Sequence, residues 1–159
     1  MVDVDLDPYQ RIRNVLSGEE QSSLIACLCV PARPELVRHV RGFIRNALAT
    51  ASVGPDVSYA VQLVVSELVS NVVRHNVAAF DPVAMILLNR GGAVLRVAVH
   101  DSDPIGGEAS APDENSESGR GLLVVTGIAD RWGVYPTAVG KSTWCEFAAW
   151  PDETIALGS

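Results

Sequence analysis

The chain has 159 residues, 48% hydrophobic and 19% charged, a composition that suits one globular domain large enough to bury a core without disulfides or a structural metal. Its formal charge of −7 argues against a general nucleic-acid binder, which needs clustered Lys and Arg to neutralise phosphates, whereas the basic residues here are scattered. No apolar run approaches the roughly 20 residues of a membrane helix, and the opening MVDVDLDPYQRIRN is acidic where a secretory signal is basic, so a cytoplasmic protein is expected.

Residues 1–23 and 150–159 are polar with little periodicity and read as a flexible N-terminal segment and a C-terminal tail around a domain spanning 24–149. Leu24 to Val30 alternates like a strand, with Ile25, Cys27 and Cys29 on one face and Leu28 and Val30 on the other, and is expected to be well buried. Cys27, Cys29 and Cys145 are odd in number, and a C-x-C lacks the C-x-x-C spacing of a zinc knuckle, so reduced, buried thiols are expected. Pro34 opens a helix whose apolar positions Leu36, Val37, Val40, Phe43, Ile44, Ala47, Leu48 and Ala51 follow helical spacing, leaving Arg38, Arg41 and Arg45 outside the stripe. After the break at Gly54-Pro55, Asp56 is the expected N-cap of a second helix reaching Asn76.

Val83 to Arg90 and Val94 to His100 read as an antiparallel hairpin across Gly91-Gly92. SDPIGGEASAPDENSES then has the Gly, Pro, Ser and acidic composition of a long mobile loop. Gly119-Arg120-Gly121 ends that loop and leads into a short apolar helix, LLVVTGIAD, followed by strands at Trp132 to Tyr135 and Lys141 to Ala149. This order predicts an α+β two-layer sandwich, a mixed sheet with helices packed on one face.

Chemistry concentrates in the second helix, at SELVSNVVRH. Glu67 and Asn71 are four apart and point the same way, with Ser66, Ser70 and Arg74 beside them and Val61, Val65, Leu68, Val69, Val72 and Val73 opposite. A wet helix face explains them equally well if they stand alone. Asp101 follows a strand, where an acceptor-only carboxylate is suited to an exocyclic amine such as that of adenine, although D-S-D-P is also an ordinary turn. Gly119 and Gly121 before a helix allow backbone N–H groups to approach an anion; a loop hinge is the plainer reading. Lys141-Ser142-Thr143 opens the last strand with hydroxyls within reach of Asp101 or a base, where threonine is also simply a good β-former.

Taken together, ELVSN, the aspartate after a strand, GRGL and the GKST strand resemble the Bergerat-type ATPases, the superfamily of gyrase, histidine kinases and MutL, over about residues 24–149. The short form carrying SELVSNVVRH and GRGLLVVTGIADRWGV most resembles bacterial anti-sigma factors that are also serine-protein kinases. The resemblance implies that Glu67 is the general base, that Asn71 holds Mg2+, and that ATP or ADP is contacted by Asn71, Arg74, Asp101, Gly119, Arg120, Gly121, Leu122 and Ser142, with Thr143 as the alternative to Ser142. His75 completes the motif. It also implies a sigma factor and a STAS-type anti-anti-sigma protein as partners, and a homodimer. Where the superfamily commonly has glycine two residues after the aspartate, this chain has Asp103 followed by Pro104, which motivates an alternative reading as a non-catalytic docking module of the same fold. A histidine kinase is a third option, with His39 on the first helix the one histidine considered as phospho-acceptor.

Overall fold

Five strands and three helices follow one another as β1 (Ser23–Pro31), α1 (Val37–Thr50), α2 (Pro55–His75), β2 (Pro82–Asn89), β3 (Val94–Asp101), α3 (Glu117–Ile128), β4 (Arg131–Thr137) and β5 (Gly140–Ala148), with a 3-10 turn at Pro34–Leu36. This computed structural model describes residues 23–75, 82–89, 92–102, 117–137 and 140–151. The N-terminal segment, nearly all of the long loop with Asp103 and Pro104, and most of the C-terminal tail lie outside the described residues.

The sheet order is β1-β2-β3-β5-β4 and every neighbouring pair is antiparallel. The two-layer α+β architecture is as expected, but the sheet is not mixed. β4 runs parallel to β3, as a crossover through α3 requires, and β5 then turns back and inserts between them, so the parallel strands never touch. The β2–β3 hairpin turns through Gly92 at φ +57, a conformation that glycine adopts without penalty.

One face of the sheet takes the helices. Val40, Ile44 and Leu48 of α1 and Val61, Val64, Val65, Leu68 and Val69 of α2 close a core with Leu95, Val97 and Val99 of β3 and Cys145 and Phe147 of β5. Burial pushes the Cys145 thiol up to about 12, so it stays protonated and acts as a small core hydrophobe.

Three local expectations change. Asp56 is not the cap: the helix begins at Pro55, with Ser58 N–H donating to Gly54 O at 2.9 Å, so Asp56 sits in the first turn, where a negative charge complements the helix dipole. β1 is half-buried rather than buried, because it is an edge strand. Its register slips between Leu24 and Ala26, so Ile25 joins Ala26, Leu28 and Val30 against the core, and Cys27 and Cys29 are half-buried and not in a disulfide. Ser66, expected on the polar side of α2, is buried and donates its hydroxyl to Gln62 O at 2.6 Å.

Candidate functional site

α2 is 21 residues long, and its buried positions sweep from Val61 to Val69 on one side. On a helical wheel Glu67 and Asn71 fall at the margin of that side, next to Val64 and Leu68, which leaves both half-buried rather than fully wet. Among the described residues the Glu67 carboxylate forms no hydrogen bond or ion pair. Asn71 is engaged: its Oδ1 accepts from the guanidinium of Arg74, one turn on. Arg74 and His75 are exposed in the last turn, where positive charge meets the negative end of the helix dipole.

Asp101 ends β3 and is 4% exposed. It faces Lys141 across the β3–β5 ladder, and Lys141 Nζ lies 3.1 Å from Asp101 Oδ1. Buried carboxylates are kept ionised in folded proteins by such partners. Side chains alternate along a strand and directly paired residues share a face, so Leu95, Val97, Val99 and Asp101 stand on the helix side together with Lys141, Thr143, Cys145 and Phe147.

That register puts the two hydroxyls on opposite faces. Thr143 shares the face of Asp101, whereas Ser142, the first choice from sequence, pairs with His100 on the opposite face. Ser142 is 1% exposed and its Oγ has no hydrogen-bond partner. Beyond Thr143, on β4, Val134 stands on the same helix side and is 43% exposed, an apolar surface beside two polar ones. Nothing in the sequence singled it out; its signal was only its place in the register.

The glycines also sit differently. α3 begins at Glu117, so Gly119, Arg120, Gly121 and Leu122 lie within its first turns rather than ahead of it. The first few N–H groups of a helix, that of Gly119 among them, lack partners within the helix, while that of Gly121 is positioned to bond back to Glu117 O. Two glycines in a helix cost about 1 kcal/mol each relative to alanine, offset here by Val125, which α3 buries completely in the core. α3 packs on α2 and β4, and α2 packs on α1, β3 and β5.

The model of the histidine kinase-like ATPase domain matches residues 30–145, well over half of the chain. The chain belongs to that family. A crystal structure of the RsbU and RsbW domains of Rv1364c from Mycobacterium tuberculosis shares the fold, with a TM-score of 0.57 and 20% identity over 80% of this chain. The chain spans about a third, 34%, of that protein's length. No curated protein matches it.

Within this family member the donor set can be tested against a metal. No cluster of three His, Cys, Asp or Glu occurs among the described residues, which excludes an all-protein cage there. Glu67 and Asn71 offer hard oxygens only, which suits Mg2+, an ion that takes one or two protein ligands and fills its octahedron with phosphate oxygens and water. No helix among the described residues is long and apolar enough to cross a membrane.

Proposed function

We propose that this chain binds Mg-ATP and acts as a regulatory protein kinase, sequestering a sigma factor and phosphorylating a serine on a small STAS-type anti-anti-sigma partner. The observation that carries this reading is the free carboxylate of Glu67 four residues before Asn71 on the half-buried margin of α2. Phosphoryl transfer asks little of a protein beyond positioning, charge neutralisation and one group that takes the nucleophile's proton. Glu67 is that group, and Asn71 holds the magnesium ion, which when bound neutralises the phosphate oxygens. Asp101 accepts from the exocyclic amine of adenine, Thr143 places a hydroxyl beside it, and Val134 supplies an apolar surface for the ring. The helix start carrying Gly119, Arg120, Gly121 and Leu122 faces the phosphates, with the Gly119 amide a donor unpaired within the helix. The Mycobacterium tuberculosis structure that shares this fold contains an RsbW domain, which supports the partner assignment. We extend the reading to a homodimer, which the family resemblance implies, in a cytoplasmic setting.

A second reading is favoured by a specific observation. Asp101 and Asn71 already have partners within the chain, Lys141 and Arg74, so a nucleotide is not required to satisfy them. On this reading the fold is a docking module without transfer. Two measurements separate the readings. Ligand that binds only the folded state must raise its melting temperature, so millimolar Mg-ATP is expected to raise Tm, and absence of any shift sinks both ATP binding and the kinase. Radiolabelled ATP with a STAS-type substrate is expected to give acid-stable phosphoserine, abolished in Glu67→Gln; labelling that persists in this variant removes Glu67 as the base.

A further inference from the structure

Lys141 is the single lysine of the chain; the other eleven basic residues are arginines. It stands at the start of β5, immediately after Gly140, and its ammonium lies 3.1 Å from the carboxylate of Asp101. The carboxylate is almost completely buried, while the lysine side chain keeps a quarter of its surface in solvent, so the pair is anchored on the aspartate side. Gly140 explains how the two strands come so close: a Cβ there would lie 2.0 Å from Asp101 O. Backbone packing therefore fixes Asp101 and delivers Lys141 to it.

We propose that Lys141 is a positioning residue for base recognition: it stays paired with Asp101 when nucleotide is bound, holding the carboxylate turned so that it meets the exocyclic amine. This rests on the reading of Asp101 as the adenine-binding carboxylate. A neutral N–H donor satisfies one lone pair but cannot compensate a buried charge, so a base cannot replace the ammonium. Lys141 is bonded to Oδ1, and a carboxylate has about four acceptor sites, so an ammonium and an amine are compatible with the same group. The lysine touches the reader, not the reacting phosphates, so its effect is confined to the base end of the ligand.

The test is a cycle between the protein and the ligand. Binding of ATP and of purine riboside 5′-triphosphate, which lacks only the 6-amino group, is measured by calorimetry on the full chain as wild type, Lys141→Met and Lys141→Arg. Wild type is expected to prefer ATP by about tenfold or more, the scale of one hydrogen bond to a charged group. Lys141→Met is expected to lose most of that preference, chiefly through weaker ATP binding, and Lys141→Arg to recover it in part. A merely structural lysine would weaken both ligands equally and leave the ratio unchanged, and that result overturns the proposal. If Lys141→Met fails to fold, the wild-type protein labelled with 15N-lysine answers alone, because it holds a single side-chain ammonium. That resonance is expected to stay protected from solvent exchange in the ATP complex; its release to fast exchange on binding shows displacement and overturns the proposal. A wild type that binds both triphosphates equally sinks the reading of Asp101 itself, a different failure from a ratio that survives Lys141→Met.

Discussion

Thr143 and Asp101 stand on the same face of the sheet, because Asp101 pairs with Lys141 and Thr143 is the next residue of β5 on that side. Ser142, between them in sequence, stands on the other. Under the proposed function, a hydroxyl that assists Asp101 in holding a base would therefore come from Thr143. Thr143→Val is expected to weaken ATP binding by about tenfold, a single hydrogen bond. Ser142→Ala is expected to leave it within twofold, and also to leave stability unchanged or slightly raised, since it removes a buried hydroxyl that has no partner. Calorimetric titration of both variants checks the assignment; a larger loss in Ser142→Ala would reverse it.

Gly140 permits the approach that creates the Asp101–Lys141 pair. An added Cβ meets Asp101 O at 2.0 Å and Ser102 Cα at 2.7 Å, both backbone atoms that cannot swing aside. Gly140→Ala is expected to cost about 2–4 kcal/mol, in the range of the larger single-residue effects, and to disturb Asp101 more than α2. Urea unfolding measures the first. The second is read from whether the variant loses its preference for ATP over purine riboside triphosphate while still binding triphosphate.

Most of the architecture was legible because it is written in periodicity. The α1 stripe of Val40, Ile44 and Leu48 and the alternation of Leu95, Val97 and Val99 have periods that fix which face is buried. What was not legible is what depends on pairing between distant segments. The insertion of β5 between β3 and β4 made the sheet antiparallel, and the same register put Thr143, not Ser142, on the face of Asp101. The partners of Asp101 and the exposure of Val134 follow from that register too. Local rules also missed the helix starts: Pro55 outranked Asp56, and α3 took in Gly119 and Gly121 because its distal apolar residues are buried, a tertiary gain that overrides glycine's poor propensity.

The face away from the helices holds a charged pair with unequal arms. Arg96 donates to Glu146 Oε1 from Nε at 3.1 Å and from its terminal nitrogen at 2.9 Å, and its guanidinium lies 4.3 Å from the centre of the Trp144 ring. Arg131 reaches Glu146 only at 3.8 Å and is 75% exposed. Breaking one side of a buried pair strands the other charge, whereas an exposed arm is screened by water. Glu146→Ala is expected to destabilise the fold by about 2–4 kcal/mol and Arg131→Ala by less than about 0.5 kcal/mol, compared by chemical denaturation at one pH.

His100 lies beside Ser142 on that face, and burial lowers its pKa below the ordinary value of 6.5, with Lys141 adding to the lowering and Asp101 opposing it. The folded chain therefore binds this proton less readily than the unfolded chain. Its neutral form is fully compatible with the fold above pH 6.5, and stability is lost as pH falls from there through the lowered folded value. Unfolding free energies measured from pH 7.5 to 5.5 are expected to decline on acidification in wild type and to decline less in His100→Gln. Equal slopes in the two proteins would show that other groups carry the dependence.

If Asn71 holds Mg2+ as proposed, Arg74 bears on the metal requirement. The Asn71 Oδ1 that suits Mg2+ is held by the Arg74 guanidinium, so a metal arriving there meets both a competing donor and a positive charge. The oxygen has a second lone pair, which allows binding, but at reduced affinity. Removing the arginine frees the oxygen and the field together. Arg74→Ala is expected to lower the Mg2+ concentration needed for half-maximal ADP binding by about threefold, equivalent to roughly 0.6 kcal/mol and in keeping with a solvent-screened charge. Asn71→Ala should raise that concentration, and the double variant should follow Asn71→Ala, since Arg74 acts on the metal chiefly through the amide. Magnesium titrations at fixed nucleotide distinguish this from a direct contact between Arg74 and phosphate. In that case Arg74→Ala would weaken ADP binding even at saturating Mg2+, and the arginine would be a ligand contact rather than a competitor.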